Sequence, residues 1–204
     1  MPQHPSFRRY FIAIGIPEPE NSFLTQIREL YHPDHRLTSP PHITLKPPFQ
    51  MPNRSYLLEK LAKVARYLEP FTIKLDMIGS FRQPKYGTIF LEPQKSEQIK
   101  QIERNLSENI AFLPNSRAFY PHLTLAQQVK HDDMKKVKHQ LRALNIGLKL
   151  KVDALVLYVQ NEDGQWEVDQ VFPFGENNSG KHQIKSDDDE KSASLHSDQE
   201  SQPN

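Results

Sequence analysis

The pentapeptide Pro-His-x-Thr-Leu stands twice in this chain, as Pro41-His42-Ile43-Thr44-Leu45 and as Pro121-His122-Leu123-Thr124-Leu125, with the two histidines eighty positions apart. An imidazole has an ordinary pKa of about 6.5, so two of them facing one substrate near neutral pH can hold one neutral and one protonated ring. In an extended segment successive side chains alternate between faces. His42 and Thr44 therefore share a face, Ile43 and Leu45 take the other, and the second copy repeats the pattern. In-line displacement at phosphorus needs a base for the incoming oxygen, an acid for the leaving oxygen, and donors for charge on the non-bridging oxygens. Two His-x-Thr pairs supply all of these, whereas a single one would carry little information. Lys46 continues the alternation of His42 and Thr44 and is expected to add a phosphate contact. The matching place in the second copy is Ala126, which leaves Gln127 or Gln128 as a further donor. Phe49, Phe81, Tyr86 and Tyr120 are candidates for stacking a base, with Phe49, Tyr120, Gln128 and Lys46 taken as the substrate-binding set. Arg82 and Arg117 stay undecided between surface and site.

The elements that must carry these residues follow from periodicity. Residues 8–16 (RRYFIAIGI) have the composition of a buried strand, and Pro17 opens a helix with Phe23, Leu24, Ile27 and Leu30 at helical spacing. The first histidine strand is expected over 42–45, ended by Pro47-Pro48, and Tyr56, Leu57, Leu61, Val64 and Leu68 mark a second amphipathic helix. A strand over 71–78 closes this unit. The order then recurs: strand 86–91, helix 96–112, histidine strand 122–125, helix 134–144, and a final hairpin of 148–159 with 166–174 around Asn161 to Gly164. Corresponding elements are offset by about 78 to 80 residues, as an internal duplication gives. The expected fold is α+β: a bilobal duplicated strand-helix-strand-helix-strand unit, lobes near 8–81 and 86–174, with antiparallel sheets flanking a central cleft.

Composition bounds the rest. Of 204 residues, 36% are hydrophobic, enough for a sizeable core. From Glu176 onward apolar residues nearly vanish, so the folded domain is read as 1–175 and 176–204 as a disordered acidic tail. The tail takes seven of the 25 acidic residues and three of the 26 basic ones, leaving 23 Lys and Arg against 18 Asp and Glu in the domain. A mildly basic domain suits a polyanionic ligand. The absence of cysteine excludes disulfides, thiolate metal sites and a cysteine nucleophile. No signal-peptide stretch or membrane-length apolar segment is present, which reads as a soluble cytoplasmic protein, expected as a monomer. His32-Pro33-Asp34-His35 and His131-Asp132-Asp133 lack convincing metal-ligand spacing, and Asp132 or Asp133 reads better as a helix cap. No phosphate-cradling glycine loop or adenylating lysine motif exists, which argues against an ATP-driven ligase, and no metal or cofactor is expected.

The paired His-x-Thr motifs at this spacing, the segment RRYFIAIGI, Leu155-Val156-Leu157-Tyr158 and the closing segment 164–174 resemble the two-histidine (2H) phosphoesterase superfamily, in its 2′-5′ RNA ligase-like branch. The resemblance covers nearly all of residues 8–175. It implies a bilobal fold with a central cleft, metal-independent chemistry on 2′,3′-cyclic phosphates or 2′-5′ phosphodiesters, and catalysis by His42, Thr44, His122 and Thr124. Members of that branch often carry an arginine shortly after the second motif, where this chain has Ala126-Gln127-Gln128. The expected partners are RNA ends or small cyclic nucleotides. Two rival readings share the cleft: a non-catalytic module that binds an RNA end or nucleotide, and a phosphodiesterase for small cyclic nucleotides or 2′-5′ oligonucleotides.

Overall fold

The computed structural model describes residues 8–31, 38–94, 96–114 and 118–175. The acidic tail, the His32-Asp34-His35 cluster and Arg117 lie outside the described residues.

The strand β1 (Arg9–Gly15) is buried on both faces, as its alternation of aromatic and aliphatic residues requires. Tyr10, Ile12 and Ile14 face the main core, while Phe11 and Ala13 meet Val156 and Tyr158 in a smaller cluster on the other side. The helix α1 (Glu20–Leu30) follows, then β2 (His42–Gln50), α2 (Arg54–Arg66), β3 (Phe71–Arg82), β4 (Tyr86–Gln94), α3 (Glu97–Asn109), β5 (Leu123–Lys130), α4 (Met134–Ala143), β6 (Leu148–Val152), β7 (Ala154–Gln160) and β8 (Trp166–Pro173). Asn53 caps α2 by accepting the Tyr56 N–H at 3.0 Å. That helix buries Leu57, Leu61 and Val64, spaced for one face, each contributing about 1.5–3 kcal/mol on full burial. At α4, Asp133 holds the N-cap position but its side chain makes no capping bond.

All eight strands form one antiparallel sheet in the order β6-β3-β4-β5-β2-β1-β7-β8. Its two central strands are the histidine strands, and they meet through the single pair Ile43 and Leu123. On either side of that junction lies a four-stranded half: β2-β1-β7-β8 and β5-β4-β3-β6. The halves are not the sequence repeats. The strand closing the first repeat, β3, pairs with β4 of the second, and the closing hairpin β7-β8 pairs back onto β1. The helices cross as well, with α1 packed against β5 and α3 against β2. The expected single strand over 148–159 breaks at Asp153, so that β6 borders one half and β7 enters the other.

The histidine strands run further than expected. β2 continues through Pro47-Pro48 because the ladder is irregular there: Tyr10 and Ile12 oppose Phe49 and Lys46, two steps on β1 against three on β2. At such a bulge a missing N–H costs no ladder bond, and both prolines stand exposed. β5 repeats the irregularity, with Gly87 and Ile89 opposite Val129 and Ala126. A second bulge precedes it in each copy. Ile12 and Ala13 face Lys46 and Thr44, and Ile89 and Phe90 face Ala126 and Thr124.

Candidate active site

The register at Ile43 and Leu123 decides how the two motifs meet. Continued one step either way, an antiparallel pair sets His42 across from Thr124 and Thr44 across from His122. The four side chains form a two-by-two grid on the face opposite the buried Ile43, Leu45, Leu123 and Leu125. The imidazoles sit at diagonal corners, and diagonal neighbours across a ladder are about 7–8 Å apart, a gap that a phosphate group can occupy. The strand alternation and this register set His42, Thr44, His122 and Thr124 on one face.

Each ring is held by a carbonyl two residues before it. His42 Nδ1 lies 2.7 Å from the Pro40 carbonyl oxygen and His122 Nδ1 lies 2.8 Å from that of Tyr120. A carbonyl only accepts, so Nδ1 carries the proton in both rings and Nε2 is left with its lone pair. At His42, Nε2 accepts from the Thr44 hydroxyl at 3.0 Å. The rings are also walled by aromatics. Phe11 and Tyr158 lie 4.7 and 5.9 Å from His42 between centroids, and Phe90 and Phe81 lie 4.9 and 5.2 Å from His122. Phe11 stands on β1 and Phe90 on β4, the strands beside the histidine strand of each half, but at different register: Phe90 lies opposite Thr124, whereas Ala13 lies opposite Thr44.

Burial in these walls disfavours the charged ring. It lowers His42 to about 4, opposed by the Pro40 carbonyl and assisted by the charges of Arg28 and His122. Burial also lowers His122, opposed by the Tyr120 carbonyl. The Tyr158 hydroxyl is pushed up to about 12 by burial. In the empty site both imidazoles are therefore neutral near pH 7.

The proposed substrate-binding set fares unevenly. Lys46 is not in the cleft. The bulge at Leu45 and Lys46 spends two residues against one step of β1, turning Lys46 to the same side as Leu45. There it is fully buried, donating to Glu103 of α3 at 2.5 Å, to the Ser107 hydroxyl, and to the Pro114 carbonyl at 3.3 Å. Phe49 is likewise a core residue, 9% exposed with its ring 6.2 Å from Tyr10, because the next irregularity brings it back to the helix side. Tyr120 does lie at the site. It is 45% exposed, its ring is 5.5 Å from Phe81 and 5.9 Å from Phe90, and its hydroxyl is raised by burial and by a bond to Glu92. Gln128 stands exposed at the bulge with φ 57°. His131 turns Nε2 toward the Gln83 carbonyl at 2.9 Å, and among the described residues no three His, Asp or Glu side chains converge as a metal site.

The sequence reading missed Phe11, Phe90, Tyr158 and Arg28. Phe11 was visible as the alternate face of RRYFIAIGI, and Arg28 as a charge interrupting the Leu24-Ile27 stripe of α1.

A model of the 2′-5′ RNA ligase superfamily matches residues 16–164. The chain belongs to that superfamily, the 2H phosphoesterases. Among its relatives is the Oceanobacillus iheyensis protein named "Putative phosphoesterase OB1230", 30% identical over 169 residues, covering 82% of this chain and 98% of that protein. The fold is shared with solved members. E. coli LigT complexed with 3′-AMP superposes with a TM-score of 0.57 at 17% identity, covering 84% of this chain and all of LigT. The protein TT0787 of Thermus thermophilus gives 0.56 at 19% identity, covering 83% and 99%. As a 2H phosphoesterase the chain carries its duplicated motif on the two central strands of the sheet. Among the described residues no helix is long and apolar enough to cross a membrane.

Proposed function

We propose that this 2H phosphoesterase hydrolyses RNA ends bearing a 2′,3′-cyclic phosphate, without a metal, by acid and base catalysis through His42 and His122. The observation that carries the reading is the grid itself: two imidazoles at diagonal corners, each with Nδ1 committed to a carbonyl and Nε2 unprotonated, that of His42 accepting from the Thr44 hydroxyl in the empty site. Water attacks phosphorus while one Nε2 takes its proton. The bond from phosphorus to the ribose 3′ oxygen breaks, and the other imidazolium gives that oxygen a proton, leaving a 2′-phosphate. The Thr44 hydroxyl turns from His42 Nε2 to the phosphate when substrate enters, and Thr44 and Thr124 then donate to the non-bridging oxygens, where charge grows in the transition state.

Burial holds both imidazoles neutral in the empty site, so the acid must gain its proton when substrate arrives. An anionic phosphate between the rings favours the charged form and raises both pKa values. The reaction thus needs no fixed cation at the phosphate, which fits a site whose nearest expected cation, Lys46, is committed to the core. The same steps with a 5′-hydroxyl in place of water form a 2′-5′ phosphodiester, and their reversal cleaves that bond back to the cyclic phosphate.

An oligoribonucleotide ending in 2′,3′-cyclic phosphate, incubated with the protein in excess chelator, tests the reading. The expected product is a 2′-phosphate end, identified by its resistance to a 3′-specific phosphatase. No product from the wild type, or a product formed only after a divalent metal is added, contradicts it.

A further inference from the structure

Three charged side chains are buried among the described residues: Lys46, Glu103 and Arg28. The first two neutralise each other. Arg28, on α1 and 5% exposed, has no carboxylate within ion-pair distance among the described residues. Its guanidinium donates from Nη1 to the Ser39 carbonyl at 2.9 Å, and its Nε is buried with no hydrogen-bond partner. A guanidinium taken out of water without an anion is costly, and its fork of donors matches a phosphate. Burial lowers its pKa to about 10, which leaves it cationic at neutral pH.

Arg28 borders a cavity of about 300 Å³ between α1 and the start of β8, together with Thr25, Thr38, Ser39 and Trp166, and with Glu29 as its one acidic lining residue, which makes no ion pair with Arg28. The cavity adjoins the candidate active site by two routes. Consecutive carbonyls of one loop hold the two groups, Ser39 taking Arg28 and Pro40 taking His42. The Phe11 ring bridges the other way, 4.7 Å from His42 and 4.8 Å from Trp166. Trp166 is fixed by its backbone N–H, which donates to Thr38 at 2.6 Å, and the Arg9 guanidinium lies 5.8 Å from its ring. On α3 the buried charge is Glu103, in the same place relative to Ile99 and Ile102 that Arg28 holds relative to Leu24 and Ile27, and it is neutralised by Lys46.

We propose that this cavity is a second phosphate subsite, in which Arg28 takes the phosphodiester of the nucleotide preceding the cyclic end and Trp166 flanks the attached nucleoside. The inference rests on the reading of the histidine grid as the place of the cyclic phosphate. It assigns the enzyme a preference for an oligonucleotide end over a mononucleotide, and places the rest of the strand on the β1-β7-β8 side.

Selectivity is the direct test. For the wild type, kcat/KM for a dinucleotide ending in 2′,3′-cyclic phosphate is expected to exceed that for the nucleoside 2′,3′-cyclic phosphate at least tenfold. Arg28→Gln is expected to bring that ratio near one, and Trp166→Ala to lower it several-fold without touching the buried cation. A ratio near one in the wild type, or the wild-type ratio in Arg28→Gln, overturns the proposal. Should Arg28→Gln not fold, an unchanged ratio in Trp166→Ala overturns it, and a lowered one upholds it. Binding separates this outcome from failure of the hydrolytic reading. Trp166 is the sole tryptophan, so its fluorescence reports occupancy of the cavity by a dinucleotide 3′-phosphate, which is not turned over. Saturable change, at least fivefold weaker in Arg28→Gln, supports the subsite even if no substrate is hydrolysed. No change on binding, or equal affinity in both proteins, contradicts it.

Discussion

The halves of the sheet share a plan and differ in where each keeps its buried cation. β2 and β5 carry the same motif, the same two bulges and the same carbonyl-held imidazole. After the first motif the bulge delivers Lys46 into the core against Glu103, whereas after the second it delivers Ala126, and the cation behind that strand belongs to helix α1 as Arg28. One cation is neutralised within the protein and holds the fold. The other is not, and is held by the loop whose next carbonyl holds His42. A duplicated scaffold can thus keep symmetric motifs at its centre while the buried charges behind its two central strands diverge.

The sharpest way to break that contrast is at the neutralised cation. Glu103→Gln leaves the Lys46 ammonium buried without an anion, and removing one partner of such a pair costs about 3–5 kcal/mol. Denaturant unfolding should show a loss of that size, and the double replacement Lys46→Met with Glu103→Leu should recover most of it. A loss below about 1 kcal/mol for Glu103→Gln means that Lys46 is not held as the structure describes.

Next in size are the hydroxyls. Thr44→Val and Thr124→Val should each lower kcat by about 10²–10³, the usual effect of removing one preorganised donor at the developing charge. If the grid is symmetric the two losses agree within a few-fold. A large loss at one threonine and none at the other shows that the phosphate sits off centre.

The smallest effect is electrostatic. His42 should titrate near pH 4 and His122 below the ordinary 6.5 in the free protein, read from imidazole NMR shifts. Addition of a nucleoside phosphate should move both upward. A depressed pKa means that the unfolded chain binds the proton before the folded one does, so stability is full above about 6.5 and falls as the pH drops toward 4. His42→Asn should flatten the decline in Tm across that window. A ring that titrates at 6.5 or above in the free protein rules out burial as the governing influence.

Much of the site was legible because period-two alternation survives wherever a strand is regular. His42 to Leu45 and His122 to Leu125 precede the bulges, so face assignments made from the letters hold there. One residue later the bulge inverts the face, and Lys46 and Phe49 go to the core; nothing in a run of Lys-Pro-Pro-Phe announces that shift. The repeat was legible as order and spacing. The exchange of β3 and β7-β8 between halves was not, because local pattern says which face a strand buries but not which neighbour it pairs with. Arg28 illustrates a different limit. It completes the i, i+3, i+4 stripe of Leu24 and Ile27, whereas Phe23 and Leu30, placed on that stripe by their apolarity, are 44% and 74% exposed. A helix tolerates a cation on its inner face only where the fold gives it something to hold, here the Ser39 carbonyl.

The central claim is that His42 and His122 act on one phosphate as a unit, and groups that act together are strongly non-additive when removed. The most direct measurement is kcat on a 2′,3′-cyclic phosphate end, in chelator, for His42→Ala, His122→Ala and the double variant. Each single replacement should lower kcat by about 10²–10⁴, and the double variant should fall little further than the worse single one. Losses that multiply in the double variant, or a single variant that keeps wild-type turnover, contradict a shared acid and base at one phosphorus.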